Sequence, residues 1–324
     1  SLNGYDSREG GATAAQEMTI AIAPAIEVAR KCIEIGGDVD EFIPNFNFFL
    51  GFHDHFFEEI AKIRAGRRIW ARVVKEKLGA KKEKSCWMKI HLQTGGSTLT
   101  AQEPLNNITR VAIQALGAVM AGVQSMSSDS YDEAISLPTE EAVRVAVKTQ
   151  KIIEHETGLT DVADPLGGSY YVEYLTNEME ERIQGYIDKI EAMGGFCKAI
   201  LNGYIEREVA NSALRYQRDF ENGERIKVGV NKYVEEEKVP CRPFEYNPRI
   251  REIETERLSK WREERDNQKV QKSLADLREA AITGDWLMPR YIEAAKAGTT
   301  MGEMIAVLRE VFGVYQPQNL LATV

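Results

Sequence analysis

Polar side chains recur at alternate positions in two short stretches of the chain. His91 and Gln93 alternate with apolar neighbours, and Ser125, Ser127 and Asp129 repeat the pattern. Because alternate residues of a strand point to the same side, each stretch would present one polar face. Imidazole, amide and carboxylate groups can hydrogen-bond a polar ligand or move protons. The two stretches are therefore the first candidates for a binding or catalytic site.

Carboxylates gather where the second stretch ends, at Asp129, Asp132 and Glu133. They could accept hydrogen bonds from sugar hydroxyls or act as acid and base, and they could equally cap the segment that follows. His91 has two interpretations as well, a ligand contact or a structural hydrogen bond. The Gly95-Gly96 loop after it favours the ligand contact, because glycine lets a ligand approach the backbone closely.

Two further motifs are weak. Gly95-Gly96-Ser97-Thr98 lacks the lysine of the phosphate-binding GxxxxGK[ST] motif and is typical of an ordinary loop turn. His53 and His55 form an HxH pair, but two histidines without a carboxylate cluster are too few for a metal site. The sequence therefore predicts no metal site.

The elements that would position these residues alternate between strands and helices. Residues 85–134 are predicted to form strand, glycine loop, helix and strand, with Arg110 and Gln114 turned away from the buried face of the helix. Asn45 and Asn47 alternate with apolar residues in a further predicted strand over 43–50. The buried helix face is predicted to comprise Val111, Ala112, Ala115, Leu116 and Val119.

Earlier segments continue the alternation. Residues 2–6 are predicted to end a strand, and residues 13–35 and 54–78 are predicted to form helices. The second of these helices would contain a Glu58–Lys62 ion pair. Thr139 is predicted to cap a further helix. The order β-α-β-α-β-α-β-α implies parallel strands joined by right-handed crossovers. We predict an α/β fold, a partial (β/α)8 TIM barrel of about four βα units followed by a mainly α-helical C-terminal region. Its channel would be lined by Asn45, Asn47, Lys89, His91, Gln93 and Ser127.

We place a domain boundary near residue 164, which separates a half-barrel over 1–163 from a helical extension over 164–324. Helices are predicted over 176–191 and 206–221, and an extended piece over 226–233. The charged run 248–281 is predicted to form one long surface helix, and residues 301–312 the last helix.

Composition limits the partners. The net charge of −9 gives no support for binding nucleic acid or an anionic membrane, and no apolar run of about 18 residues suggests a membrane span. The four cysteines form no CxxC pair, so we expect a reducing cytoplasm. Four βα units would leave two open parallel edges, so we expect pairing with a copy of the chain or with another half-barrel.

Four motifs resemble the catalytic subunit of the methylmalonyl-CoA mutase family: FFEEIAKIRAGRRIWARV, HLQTGGSTLTAQEPLNN, SYDEAISLPTEEA and VADPLGGSYYVE. The resemblance implies an adenosylcobalamin-dependent rearrangement of an acyl-CoA, in which cobalt–carbon homolysis gives a radical that takes a substrate hydrogen. It also implies that the other half of the barrel would lie upstream of Leu2. The cobalamin would be bound mainly by a domain after Val324 or by a separate subunit.

The resemblance also implies roles for single residues. His91 and Gln93 match family residues that contact the cofactor, Glu133 matches one that binds the adenosyl ribose, and Asp129 stands where the family has an asparagine near that ribose. Tyr5 matches an active-site aromatic residue.

Besides Asp129, three more positions depart from the family. Asp6 stands where a histidine assists at the substrate carbonyl, and Asn45 and Asn47 replace an arginine and a serine that bind CoA. A carboxylate at position 6 would repel a developing oxyanion unless it is protonated. The alternatives are therefore a non-catalytic binding or assembly subunit, or a mutase for another acyl-CoA.

Overall fold

The computed structural model describes residues 1–235 and 242–316, and these fall into two compact units. The first unit comprises the described residues up to Phe244, and the second begins at Glu245. None of the described helices is long and apolar enough to cross a membrane.

A four-stranded parallel sheet lies at the centre of the first unit, with its strands in chain order. The register aligns Phe49 with His91 and Ser125, and Gly51 with Gln93. A parallel sheet in sequential order is the arrangement of a TIM barrel, so the predicted partial barrel of about four βα units is confirmed. The strands are β1 (Leu2–Asn3), β2 (Phe48–Phe52), β3 (Ile90–Thr94) and β4 (Ser125–Ser127).

Helices connect the strands and cover one side of the sheet. Thr13 caps α2 in a capping box with Gln16, and Thr139 caps α6 as predicted. The predicted helix over 54–78 is α4 followed by the π-helical turn Val73–Lys77. The helices are α1 (Tyr5–Glu9), α2 (Ala14–Glu34), α3 (Val39–Phe42), α4 (Phe56–Arg72), α5 (Asn106–Met120) and α6 (Glu140–Glu156).

The main core lies between the sheet and these helices. Phe48, Leu50 and Phe52 on β2, together with Ile90 and Leu92 on β3, are at most 1% exposed. Because side chains alternate along a strand, the residues between them point to the opposite side. We call that side the front face; it carries Phe49, Gly51, His91, Gln93, Ser125 and Ser127.

An outer layer of helices within the first unit packs on the barrel helices. Val172, Met179 and Ile183 of α7 are buried in the same core as the sheet. The predicted helices over 176–191 and 206–221 lie within longer ones, whereas residues 226–233 form turns with a single bridge rather than an extended piece. A division near residue 164 stays a prediction. The layer consists of α7 (Tyr170–Ala192), α8 (Phe196–Leu201) and α9 (Tyr204–Glu221).

The second unit is helical in its described part. The prediction of one long helix over 248–281 is wrong, because Asp266 caps a new helix through the backbone N–H groups of Gln268 and Lys269. Arg265 forms two hydrogen bonds with Glu303, at 2.8 and 2.6 Å. The unit contains α10 (Ile250–Glu264), α11 (Asn267–Thr283), α12 (Leu287–Lys296) and α13 (Met301–Phe312), the last as predicted.

Candidate active site

His91 occupies the middle of the front face. Its Nδ1 lies 2.8 Å from Ser125 Oγ and its Nε2 lies 3.1 Å from Ser127 Oγ, because the parallel register places β4 beside it. On the other side the Phe49 ring lies 5.4 Å from the imidazole, and Tyr5 stacks on Phe49 at 4.9 Å. The front face is therefore a continuous surface of aromatic rings and hydrogen-bonding groups.

Gln93 and Asp129 are brought together one step further along the strands. Gln93 Nε2 donates to Asp129 Oδ1 at 2.7 Å, and Thr94 Oγ1 donates to Oδ2 at 3.0 Å. Asp129 is 7% exposed. Burial raises its pKa to about 6, with further increases from the charges of Glu133 and Glu9, although the hydrogen bonds from Gln93 and Thr94 oppose the increase. Asp129 therefore titrates close to neutral pH.

The glycine loop after β3 is supported by a buried amide. Gly95 N donates to Gln114 Oε1 at 2.8 Å, and Gln114 Nε2 donates to Thr98 Oγ1 at 2.7 Å. Gln114 is 2% exposed, so the prediction that it faces away from the core is wrong. Helical periodicity assigns a polar residue to solvent, whereas here both ends of the Gln114 amide form hydrogen bonds with the loop.

Glu9 connects α1 to the same loop. One of its carboxylate oxygens accepts a hydrogen bond from Ser97 N at 2.6 Å, and the other lies 2.8 Å from His53 Nε2. No local sequence pattern pairs Glu9 with a loop 88 residues later, so its role is visible only in the fold. The HxH pattern likewise does not predict that His53 pairs with Glu9. Among the described residues no group of metal-ligating side chains is present.

A small recess is centred on Gly96. A Cβ atom at this position would lie 3.3 Å from Glu9 Oε2, 3.6 Å from Glu133 Cγ and 3.7 Å from the Tyr5 hydroxyl oxygen. We call this recess, formed by Gly96, Glu9, Glu133 and Tyr5, the Gly96 recess. Glu133 also lines a cavity of about 320 Å³, together with Gln93 and Asp129.

The electrostatics of the recess favour neutral hydrogen-bond donors. Burial raises the pKa of Tyr5 well above its usual value, and the charges of Asp129 and Glu9 raise it further, so the hydroxyl keeps its proton. Partial burial, followed by repulsion from Asp132 and Glu9, raises the pKa of Glu133. Within the described ranges no lysine or arginine forms an ion pair with Asp129 or Glu133. A hydroxyl-rich ligand suits these acceptors, whereas a phosphate would be repelled.

A buried charge cluster surrounds Gly51 of β2. Gly51 N donates to Glu17 Oε1 at 2.5 Å, and Lys62 Nζ donates to Gly51 O at 2.7 Å and to Glu17 Oε2 at 2.6 Å. Lys62 also pairs with Glu59, and Arg8 Nη2 lies 2.6 Å from Glu59 Oε1. The predicted Glu58–Lys62 pair is therefore wrong. Because β1 ends at Asn3, these charged side chains satisfy the backbone groups of Gly51 in place of another strand.

Tyr5 and Asp6 lie in α1, not in a continuation of β1. Tyr5 faces the recess through its hydroxyl, whereas the exposed Asp6 carboxylate accepts a hydrogen bond from Asn3 Nδ2 at 2.7 Å. Asp6 N in turn donates to Asn3 Oδ1 at 3.2 Å. This reciprocal pairing stabilises the turn between β1 and α1.

Asn45 and Asn47 are exposed and precede β2. The predicted strand over 43–50 is wrong at its start, because Ile43–Asn45 forms a 3-10 turn in which Pro44 fixes the backbone. Asn45 Nδ2 donates to Glu41 O at 3.2 Å. Both asparagines therefore lie at the amino ends of the strands, away from the site at the carboxyl ends, and their contact with substrate stays a prediction.

Comparison with known proteins agrees with this geometry. The sequence profile of methylmalonyl-CoA mutase matches residues 1–314. The chain is 40% identical to methylmalonyl-CoA mutase of Rhizobium meliloti over 97% of its own length and 44% of the relative's. It is 38% identical to the mitochondrial methylmalonyl-CoA mutase of Homo sapiens, over 100% of the chain and 43% of the relative.

A relative with a different name matches equally well. The 2-hydroxyisobutanoyl-CoA mutase large subunit of Aquincola tertiaricarbonis is 39% identical, over 97% of the chain and 56% of the relative. The chain thus spans about half the length of the curated relatives it matches. With the half-barrel and its front-face site, the matches over nearly every residue establish that this chain belongs to the methylmalonyl-CoA mutase family.

Proposed function

We propose that the chain supplies half of the catalytic barrel of an adenosylcobalamin-dependent acyl-CoA mutase, an isomerase of the methylmalonyl-CoA/succinyl-CoA type. The observation that carries the proposal is the cluster of hydrogen-bonding groups at the carboxyl ends of β3 and β4, where Gln93, Asp129 and Glu133 adjoin the Gly96 recess. Active sites of parallel barrels form at this end of the sheet. The names of the relatives support an acyl-CoA substrate.

The residues of the recess fit the adenosyl group of the cofactor. A ribose carries hydroxyl donors and no charge, and Glu9 and Glu133 offer carboxylate acceptors on both sides of a position that lacks a side chain. Asp129 and Gln93 extend this polar surface toward His91. We assign His91, Gln93, Asp129 and Glu133 to cofactor binding.

When bound, adenosylcobalamin supplies the carbon-centred radical that abstracts a hydrogen atom from the acyl group. The residues of the chain bind and orient the reactants. Tyr5, stacked on Phe49 and kept protonated by burial and then by its acidic neighbours, which raise its pKa, offers a hydrogen-bond donor beside the recess. The aromatic pair also excludes water from one side of the site. Tyr5 is thus one proposed catalytic residue. Asp6 is the other, on the family resemblance alone, since it occupies the position of the family's histidine and its carboxylate is bonded to Asn3.

Substrate binding is assigned to the opposite end of the strands. Asn45 and Asn47 have neutral amides, so they would hold CoA by hydrogen bonds rather than by charge. An acyl-CoA that enters past them would have its acyl group directed toward the recess at the carboxyl ends.

The site requires partners. We propose a cobalamin-binding subunit or domain and a second half-barrel, because β1 and β4 each present an open parallel edge. The name of one relative, a large subunit, supports a multi-subunit enzyme. Light scattering of the purified chain should give a mass above that of one chain, and a monomeric mass would contradict this assembly. We expect the complex in the cytoplasm.

A non-catalytic binding or assembly subunit is the second candidate. It is favoured by Asp6, whose carboxylate is exposed and hydrogen-bonded to Asn3 near the front face. A mutase for another acyl-CoA would also accommodate this residue.

The test is an assay of the complete, cobalamin-loaded protein with a panel of acyl-CoA esters. We expect cofactor-dependent isomerisation of at least one ester. The Asp6→His variant should shift activity toward methylmalonyl-CoA if position 6 determines specificity. Absence of turnover with every ester would contradict the mutase and favour the binding subunit.

A further inference from the structure

Residues 225–232, which we call the strap, cross the outer side of the glycine loop. The strap follows α9 and turns back through Gly229, whose φ of +79° suits glycine. One described bridge joins Val228 to Lys232 within it. The strap has little regular structure of its own, so its conformation depends on its contacts with the barrel.

Lys227 makes the most buried of these contacts. Its Nζ lies 2.6 Å from Asp54 Oδ2 and donates to Thr98 O at 2.8 Å. The Lys227 side chain is 13% exposed and that of Asp54 is 41% exposed. One ammonium group therefore joins the loop after β2 to the last residue of the 3-10 turn Gly96–Thr98.

A second contact anchors the strap to α5. Arg110 Nη2 donates to Val228 O at 2.8 Å, while its Nη1 donates to Thr100 Oγ1 at 2.9 Å. Gly229 lies against Glu103, and a Cβ atom there would come within 2.9 Å of that carboxylate. The strap thus has a fixed register along the loop.

We propose that the strap positions the glycine loop for ligand binding and that Lys227 is its positioning residue. Lys227 holds the Thr98 carbonyl, and Ser97 in the same turn donates its N–H to Glu9 in the Gly96 recess. Lys227 thus supports from outside a turn that Gln114 holds from inside. Its relevance to the cofactor rests on the proposed function, whereas the effect on the loop does not.

The first test measures amide hydrogen exchange over residues 95–104 in the purified chain. Lys227→Met removes the ammonium group, so Asp54 and the Thr98 carbonyl lose their shared partner. Because a charge-assisted hydrogen bond is lost, we expect amide exchange in the loop to accelerate about tenfold. Lys227→Arg keeps the charge and should restore most of the protection. Lys232→Met is the matched control, because Lys232 lies in the strap but its side chain contacts the ring of Tyr233. Equal exchange in Lys227→Met and wild type would overturn the proposal.

The second test separates cofactor binding from turnover in the complete enzyme. Lys227→Met should raise the KM for adenosylcobalamin about tenfold and leave the KM for the acyl-CoA nearly unchanged. Faster loop exchange with an unchanged cofactor KM would show that the strap only stabilises the fold, which overturns the positioning role. If the wild-type enzyme turns over no ester, the proposed function fails, and the exchange measurement still decides whether the strap holds the loop.

Discussion

Two groups of carboxylates, one around Gly51 and one around Asp129 and Glu133, have different surroundings. In the buried charge cluster, Glu17 and Glu59 are matched by Arg8 and Lys62, and the two glutamates and the lysine have fully buried side chains. The pKa of Glu59 falls to about 2 because Lys62 and then Arg8 outweigh the opposing effect of burial. The negative charges of Glu17 and Glu59 are therefore compensated by the positive charges of Arg8 and Lys62.

On the front-face side the carboxylates have no such compensation. The pKa of Asp129 rises to about 6 and that of Glu133 is also raised, with burial as the main cause. Unfavourable ionisation of this kind costs folding free energy and is common where a ligand supplies the missing partners. Compensated charge therefore marks the part of the barrel that stabilises the fold, and uncompensated charge marks the part that binds.

The largest effect should follow loss of the buried lysine. Lys62→Met leaves Glu17 and Glu59 with too little positive charge, and we expect the free energy of unfolding to fall by about 3–5 kcal/mol. Urea denaturation measures it. Lys77→Met is the control, since Lys77 forms only an exposed ion pair with Glu191 and should cost at most about 1 kcal/mol. Equal losses in the two variants would remove the distinction between buried and surface charge.

The pH dependence of stability should differ between the two groups. Asp129 has its pKa raised from 3.8 to about 6, so its contribution to stability is present below about pH 4 and is lost as the pH rises through about 6. A change of this size corresponds to roughly 3 kcal/mol. Asp129→Asn should remove that loss and leave a flatter curve above about pH 4.

Glu59 should behave in the opposite way. Its pKa falls from 4.5 to about 2, so its contribution is present above about pH 4.5 and is lost as the pH falls through about 2. The Glu59→Gln variant should therefore be less stable than wild type above about pH 4.5, and this difference should shrink as the pH falls through about 2. Unfolding curves of both variants from about pH 2 to 8 test the pair, and a common pH dependence would contradict the comparison.

Two glycines offer a smaller and more local contrast. A Cβ at Gly117 would lie 2.2 Å from the Phe52 ring in the core, so Gly117→Ala should destabilise the chain by about 1–3 kcal/mol. A Cβ at Gly96 fits after a slight movement of Glu9, so Gly96→Ala should leave the stability of the chain nearly unchanged. The added methyl group would occupy space proposed for the cofactor, so adenosylcobalamin binding should weaken about tenfold. Thermal unfolding and cofactor titration of both variants provide the comparison. A strong loss of stability in Gly96→Ala would show that the recess is packed rather than open.

The sequence predicted the sheet and most helices because periodicity and capping residues are local signals. Thr139, as a capping residue, and the alternation of His91 and Gln93 with apolar neighbours are such local signals. The charge cluster escaped prediction because its contacts join positions far apart in the chain, such as Glu17 and Lys62. Gln114 was misassigned for the same reason, since its partner is a loop backbone and periodicity carries no information about loops.

The site was partly predictable. His91, Gln93, Asp129 and Glu133 followed from strand alternation and family resemblance, whereas Glu9 is brought to Gly96 only by the fold. The alternation of Asn45 and Asn47 with apolar residues predicted a strand there, whereas in the structure Pro44 keeps the segment with Asn45 in a turn.

The most direct test of the account compares two cobalamins with the complete protein. Adenosylcobalamin carries an adenosyl group, whose ribose Glu133 should bind. Hydroxocobalamin lacks the adenosyl group. We expect Glu133→Gln to weaken adenosylcobalamin binding about tenfold or more, the loss of a charge-assisted hydrogen bond, and to leave hydroxocobalamin binding unchanged. Equal effects on the two cobalamins, or none on either, would contradict the assignment of the uncompensated carboxylates to the cofactor.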